Sequence, residues 1–392
     1  MKILVISQYY YPEPFRITDI CESLVKKGHR VTVLTGNPNY PDGFIYQGYE
    51  NKYSFEVING VNVIRSKIYP RKKGNVNLFL NYISFPIKTR KLVKKIDKDF
   101  DVVFVNQLSP VMSAIPGIKY AKKNNKKICL YCLDLWPESL VSGGIKKNGI
   151  IYKVFNKIAK KIYKKMDKIL ISSKSFADKF AEYNIETKYL PQYAEESFTF
   201  ISEERKKDGF FQVVFAGNIG EMQSVETIIL AANELKNYKN IIFNIYGSGS
   251  NYDNIYKLKE DLGLNNVLIH GRKDISEMPS IYFHSDVMLV TLKKDDLISK
   301  TLPGKVQTYM AARRPIIGAI DGETKEIIKE AQAGYVCEAE NYKELSKLIL
   351  FASKDENLIK KGNNGRKYYD ENFAKEKVLD RLEAILLEVC DV

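Results

Sequence analysis

Short aliphatic runs without polar alternation recur along this chain, each followed by a turn and then by apolar residues at helical spacing. Such a run reads as a strand buried on both faces, which requires a parallel sheet covered by helices. Lys2 to Ser7 is the first. A proline-rich turn (Tyr11, Pro12, Glu13, Pro14) leads into a helix with Ile17, Ile20, Cys21, Leu24 and Val25 on one face. Gly28 stops that helix before the strand-like Arg30 to Thr35, completing a β-α-β unit. Runs at Val102 to Val105, Ile128 to Cys132 and Lys168 to Ser172 extend the domain. The pattern breaks near Pro191, Glu195, Glu196 and the charged run Glu203 to Asp208, as an interdomain linker does. It then restarts at Gln212 to Ala216, Ile241 to Tyr246, Val267 to His270, Asp286 to Thr291, Pro315 to Ala319 and Gly334 to Cys337.

The fold class is therefore α/β, with two doubly wound parallel sheets: a first domain over 1–190, a linker over 191–210 and a second domain over 211–374. The remainder, 375–392, holds a helix from Lys375 to Val389 that either caps its own domain or crosses back to the first. A length of 392 residues suits two domains, and 45% apolar with 28% charged residues is a globular composition. No apolar run reaches the ~18–20 residues of a membrane span, and no secretory signal opens the chain, so the expected location is cytoplasmic. Cys129 and Cys132 sit three apart on a strand, facing opposite sides, and read as buried thiols. The three histidines (His29, His270, His284) are scattered and no Asp-x-Asp ends a strand, so no metal and no cofactor is expected. Asp295 and Asp296 are adjacent and read as a solvated loop.

The net charge of +14 is unevenly placed: residues 1–200 carry 34 Lys+Arg against 17 Asp+Glu, and residues 201–392 carry 27 against 30. The basic half is expected to meet an anionic surface, either membrane headgroups or nucleic acid. Its lysines lie on amphipathic helices and no RRM, KH or zinc-finger pattern is present, which argues against nucleic acid. Between residues 145 and 169 a helix sets Ile150, Ile151, Val154, Phe155, Ile158, Ile162 and Ile169 among nine lysines, including Lys160 and Lys164. The stretch Val76 to Phe85, with Leu78 and Phe79, is ringed by Arg71, Lys72, Lys73, Lys88, Arg90 and Lys91. Both suit an anionic lipid surface, with Leu78, Phe79, Lys72, Lys73, Lys160 and Lys164 as contacts. The alternative is that both apolar faces pack inward and the lysines are simply solvated.

Three segments could carry chemistry. Val213 to Ala216 runs into Gly217-Asn218-Ile219-Gly220 before a helix opening near Ser224, and Tyr246-Gly247-Ser248-Gly249 repeats the glycine turn after the next strand. Glycine there lets backbone N–H groups approach a phosphate, although a tight connection alone would also use it. Gly271-Arg272-Lys273 and Ser299-Lys300-Thr301-Leu302-Pro303-Gly304-Lys305 place cations near strand ends of the same domain, where Arg272, Lys300 and Lys305 could neutralise a diphosphate. In the first domain, Asp134, Trp136 and Glu138 follow a strand within Leu133 to Ser139. Two carboxylates beside an aromatic ring suit sugar or hydroxyl recognition, the alternative being a helix cap by Asp134 with Trp136 as packing.

Taken together, Met1 to Arg16 (MKILVISQYYYPEPFR), Asn37 to Gly43 (NPNYPDG), Leu133 to Ser139 (LDLWPES), Phe215 to Gly220 (FAGNIG) and Leu302 to Pro315 (LPGKVQTYMAARRP) resemble the retaining glycosyltransferases of family 4 over nearly the whole chain. The resemblance implies a GT-B fold of two Rossmann-like domains facing across a cleft. It implies a nucleotide-sugar, most often a UDP-sugar, in the C-terminal domain and an acceptor in the N-terminal one. Leu133 to Ser139 looks most like members that build capsule, exopolysaccharide or O-antigen units, by hexosyl or N-acetylhexosaminyl transfer, on a polyprenyl-diphosphate carrier. An anionic lipid-linked acceptor at the inner membrane face fits the basic first half and implies peripheral association there.

Some family positions are altered. Lys300 and Thr308 stand where the resemblance leads one to expect a glutamate pair, Asn218 and Gln223 where it expects Arg and Lys, and Leu133 or Asp134 where many members have histidine. The implied donor site is Gly217, Asn218, Tyr246, Gly247, Gly271, Arg272, Lys300, Lys305, Thr308 and Thr324, with Lys305 or Lys300 neutralising the leaving diphosphate and backbone N–H groups near Asn218 and Gly322 to Thr324 assisting. The implied acceptor site is Arg16, Asp134, Trp136 and Glu138, with Asp134 or Glu138 orienting the hydroxyl. A nucleotide-sugar epimerase of the same fold and a non-catalytic scaffold remain as alternatives.

Overall fold

The computed structural model describes residues 1–142, 144–147, 149–201 and 209–390. The charged run Glu203 to Asp208, expected within the linker, lies outside the described residues. The chain divides into two compact units, Met1–Leu190 together with the residues from Leu379, and Pro191–Val378.

The first unit carries β1 (Lys2–Ser7), β2 (Arg30–Gly36), β3 (Ser54–Ile58), β4 (Val61–Ser66), β5 (Val102–Gln107), β6 (Lys127–Cys132), β7 (Lys168–Ile171) and β8 (Lys188–Tyr189). Their order across the sheet is β3-β4-β2-β1-β5-β6-β7-β8. Ile3 to Ile6 and Val102 to Val105 are wholly buried, as runs without alternation must be when helices cover both faces. One departure from the expected parallel sheet is β3, which pairs antiparallel with β4 through the turn Asn59-Gly60. Both turn residues hold positive φ (47° and 81°), the geometry that Asn-Gly accommodates in a tight hairpin. The hairpin carries the fully buried Arg65, which pairs with Glu56 and donates from Nη2 to the Tyr11 carbonyl at 2.6 Å.

The second unit carries β9 (Phe211–Ala216), β10 (Ile241–Tyr246), β11 (Val267–Gly271), β12 (Val287–Thr291), β13 (Ile316–Ala319) and β14 (Gly334–Cys337), all parallel, in the order β11-β10-β9-β12-β13-β14. In each unit the strand order reverses at one point, between β1 and β5 and between β9 and β12. Loops leaving the strands diverge there, which opens a crevice at the carboxyl edge.

One local expectation changes and one open alternative is resolved. The basic helix runs from Ile150 to Tyr163, shorter than 145–169, and Ile169 is instead a buried residue of β7. The closing helix, Lys375–Val389, has its residues from Leu379 in the first unit. There Lys27 meets Asp380 at 2.5 Å and Glu383 at 2.7 Å, His29 Nε2 meets Glu383 at 2.7 Å, and Leu382 and Leu386 are buried.

Glu13 fixes the loops beyond β1 and β2. The residue is 2% exposed, and its carboxylate accepts the backbone N–H of Asn39 and Tyr40 at 2.8 Å each and of Tyr10 at 3.2 Å. Burial pushes the carboxyl up to about 7, against the pull of the three amides toward the charged form. Glu13→Ala strands three buried donors and is expected to cost about 2–4 kcal/mol in chemical denaturation. Glu13→Gln, which keeps one accepting oxygen, should cost less, and equal losses in the two variants would contradict this role.

Candidate active site

At the carboxyl edge of the second unit two glycine turns interlock. Gly217 N–H donates to Tyr246 O at 3.0 Å, Gly247 N–H to Gly271 O at 2.8 Å and Ile219 N–H to Ser248 O at 2.9 Å. Gly247 cannot be replaced without displacing backbone, because a Cβ there would lie 1.8 Å from Gly217 O and its φ is +145°. The turns thus hold Gly217, Asn218, Tyr246, Gly247 and Gly271 along one edge, with Asn218 and Arg272 exposed. Tyr246 stacks on His270, the ring centroids 4.3 Å apart.

Lys305 enters this edge from the first turn of the helix Gly304–Ala311. Its Nζ lies 4.2 Å from the Phe215 ring centroid, donates to Gln223 Oε1 at 2.9 Å and faces Gly217, where a Cβ would come within 2.8 Å of it. The residue as a whole is half-buried, but its ammonium is enclosed, and burial lowers its pKa to about 7. Neighbouring strands fix both partners of this contact. Tyr309, from the Lys305 helix, donates to Ala216 O at 3.1 Å, and Thr291, at the end of β12, donates to Gln223 O at 2.6 Å. The pair therefore sits over the reversal between β9 and β12. Among the described residues no carboxylate pairs with Lys305.

Other expected donor residues are placed differently. Thr308 is buried and its hydroxyl donates to Gly304 O at 3.1 Å within its own helix. Thr324 is fully buried and donates to Thr301 O at 3.0 Å, tying the helix Gly322–Glu330 to the loop before Lys305. Both hydroxyls are engaged with backbone, so they shape the edge. Lys300 is half-buried on the short turn Ile298–Lys300 of the same loop.

In the first unit, Asp134 lies beyond β6 and Ser109 beyond β5. The Ser109 hydroxyl donates to the Asp134 carboxylate, lies 3.3 Å from Ser139 Oγ and accepts the Trp136 indole N–H at 2.8 Å. Gln107, at the end of β5, donates to Asp134 O at 2.8 Å. Burial raises the Asp134 carboxyl to about 6, while the Ser109 and Ser139 hydroxyls pull it down. Trp136 and Glu138, expected to face an acceptor, lie inside instead. Trp136 is 2% exposed and packs edge-on against Phe155 at 5.3 Å. Glu138 is 7% exposed, pairs with Lys179 at 2.9 Å and accepts the Tyr152 hydroxyl at 2.8 Å. Both contacts fall on Glu138 Oε1, and Oε2 is buried too, so this carboxylate is tied into the core rather than presented to an acceptor. Asp134 is held instead by the Ser109 hydroxyl, and among the described residues no backbone N–H of the helix Ser139–Ser142 donates to its carboxylate, so it does not cap that helix as the alternative reading had it. Arg16 stands half-buried at the head of the helix Ile17–Lys26.

Sequence reasoning missed Ser109 and the roles of Gln223 and Phe215. A signal existed for Ser109, since the segments after β1 and β5 flank the strand-order reversal, where such sheets bind ligands. On the surface, Val76, Phe79, Ile87, Ile150, Ile151 and Val154 are all about half exposed or more. Lys72, Lys73 and Lys164 are exposed and Leu78 is half-buried, while Lys160 lies 5.4 Å from the Tyr183 ring centroid. Among the described residues no helix is long and apolar enough to cross a membrane.

Replacing Lys305 tests its enclosure. With a folded pKa near 7 against the ordinary 10.5, the unfolded chain holds more protons between those values. The lysine's contribution therefore becomes less unfavourable as pH rises through that window. Lys305→Met should gain most over the wild type at pH 6, with the difference narrowing by pH 9 in parallel denaturation curves. A pH-independent difference would mean that the ammonium is hydrated.

Comparison with known proteins accords with this layout. The sequence model of "Glycosyltransferase Family 4" matches residues 16–189 and that of "Glycosyl transferases group 1" matches residues 197–371. The "Putative colanic acid biosynthesis glycosyl transferase WcaI" of Escherichia coli K12 is 24% identical over 340 residues, covering 79% of this chain and 81% of its own. The "Probable glycosyltransferase WbjE" of Pseudomonas aeruginosa is 26% identical over 255 residues, covering 61% and 62%. The structure of Anabaena Alr3699/HepE in complex with UDP superposes with a TM-score of 0.71 at 12% identity, covering 99% of this chain and 100% of its own, which shows a shared fold.

Proposed function

Since the chain belongs to the family 4 glycosyltransferases of the GT-B fold, we propose that it moves a sugar of the hexose or N-acetylhexosamine type from a UDP-sugar, with retention of configuration, to a saccharide carried on a polyprenyl diphosphate. The reading places the protein in assembly of a surface polysaccharide, such as a capsule or O-antigen, at the inner face of the plasma membrane. The colanic acid name of one relative and the UDP held by one structural neighbour support it.

The observation that carries the proposal is the enclosed Lys305 ammonium at the β9–β12 reversal, uncompensated by any carboxylate among the described residues. In a retaining transfer the glycosidic bond to the diphosphate breaks while the acceptor hydroxyl approaches the same face. Negative charge grows on the departing phosphate, and a preorganised cation in a water-poor setting is the strongest stabiliser of it. A diphosphate arriving beside Lys305 favours its charged form, so binding itself arms the site. Arg272 and Lys300 flank the edge as further partners, and backbone N–H groups near Asn218 supply neutral donors. Asp134 orients the acceptor hydroxyl and, charged above about pH 6, accepts its hydrogen bond. The apolar residues exposed on the helices Asn75–Leu92 and Ile150–Tyr163, among lysines, support docking on anionic lipid.

Thermal-shift titration of the protein with UDP, GDP, ADP, CMP and TDP should show selective stabilisation by UDP, weakened about tenfold in affinity by Lys305→Ala. Indifference to every nucleotide would remove the donor assignment. For the acceptor side, the acid limb of the pH–rate profile is expected near pH 6. In Ser109→Ala, which removes a hydrogen bond favouring the carboxylate, that limb should move to higher pH. An unmoved limb would exclude Asp134 as its source.

A further inference from the structure

The first unit contains a second cation that the scheme above leaves unused. Arg71 lies beyond β4, half-buried, its guanidinium carbon 5.3 Å from the Tyr40 ring centroid and 5.9 Å from that of Tyr82, with the Tyr9 hydroxyl beside it. Its backbone is fixed twice by the Asn37 to Gly43 loop. Arg71 N–H donates to Asn39 Oδ1 at 2.7 Å, and Gly43, at φ +80°, packs so closely that a Cβ would lie 2.4 Å from Arg71 O. Asn39 is itself held by Glu13. The ring walls are equally constrained. Tyr9 stacks on Phe15 at 4.9 Å and donates to Asn81 Oδ1 at 3.2 Å, and Asn81 donates to Tyr69 O at 2.7 Å from the helix that also bears Tyr82. The Tyr82 hydroxyl in turn lies beside Ser109, the residue that donates to Asp134.

Among the described residues no aspartate or glutamate pairs with Arg71. Arg65, Lys179 and Arg366, also buried or half-buried, do meet carboxylates, those of Glu56, Glu138 and Asp370. A guanidinium walled by three phenols, with no carboxylate, has been partly stripped of water without compensation, and its planar fork matches phosphate oxygens. Resting on the reading that the first unit takes a lipid-linked acceptor, we infer that Arg71, between Tyr40 and Tyr82, binds a phosphate ester of that acceptor and so sets the attached saccharide against Asp134. One tyrosine and one serine separate the guanidinium from the acid. The site therefore favours a glycosyl phosphate bearing a short saccharide, in which the reacting hydroxyl and the phosphate are close neighbours.

Inorganic pyrophosphate is the probe, titrated calorimetrically into the full chain saturated with UDP, and again into Lys305→Ala, so that the second unit's phosphate site does not contribute. Binding is expected in both, about tenfold weaker in Arg71→Gln and intermediate in Arg71→Lys, which keeps charge but loses the fork. Pyrophosphate should also slow phenylglyoxal modification of Arg71 in the unsubstituted protein, read by peptide mass spectrometry, a measurement that stands even where a variant does not fold. Vesicles of phosphatidylglycerol and phosphatidylcholine separate the phosphate sources: Arg71→Gln should bind them as the wild type does. Absence of pyrophosphate binding, binding unchanged in Arg71→Gln, or protection of Arg71 by vesicles but not by pyrophosphate would each overturn the inference. Failure of UDP to bind, with pyrophosphate still protecting Arg71, would instead remove the donor assignment and leave this site standing.

Discussion

Parallel pairing is the constraint from which the rest follows. In both sheets every strand but β3 runs the same way, so every loop that could carry chemistry leaves from one edge. Strands buried on both faces have no polar surface of their own to offer. Polar groups consequently gather where the strands stop: Glu13, Ser109 and Asp134 in one unit, Gly217, Gln223 and Lys305 in the other. The reversal of strand order opens the space, and the side chains beside it are held by hydrogen bonds from neighbouring strand ends, as Thr291 holds Gln223 and Gln107 holds Asp134.

The sheets were legible because a buried parallel strand has a one-dimensional signature. Lys2–Ser7, Ile241–Tyr246 and Gly334–Cys337 run as the hydrophobic pattern predicts, and the other expected strands differ only by a residue or two at their ends. The β3–β4 hairpin escaped a reading tuned to β-α-β units, although Asn59-Gly60 between alternating residues is a local signal for it. Site residues were less legible because their roles depend on contacts distant in sequence. Asp134 and Glu138 stand four apart beyond one strand and look equivalent. Lys179, more than forty positions on, buries Glu138 in an ion pair, and Ser109 engages Asp134. Thr308 and Thr324 similarly spend their hydroxyls on backbone carbonyls that no motif specifies.

Cations divide by the same logic. Lys27, Arg65, Lys179 and Arg366 are matched by carboxylates and serve the fold. Lys305 and Arg71, each at a strand end and each against aromatic rings, have no such match among the described residues. Aromatic faces stabilise a cation modestly and leave its hydrogen-bonding capacity open, so such a group is held in place without being neutralised.

The closing helix carries a consequence for how such chains can diversify. Because its residues from Leu379 belong with the first unit, that unit is assembled from two separate stretches of the chain, and the second unit is in effect an insertion within it. Recombination between relatives could not exchange the second unit at a single crossover near Leu190 without also importing a foreign helix, whose Asp380 and Glu383 would have to suit Lys27 and His29. Exchange of the second unit by shuffling therefore requires two junctions, and a lineage can alter that unit more readily by point substitution at its strand ends than by trading domains.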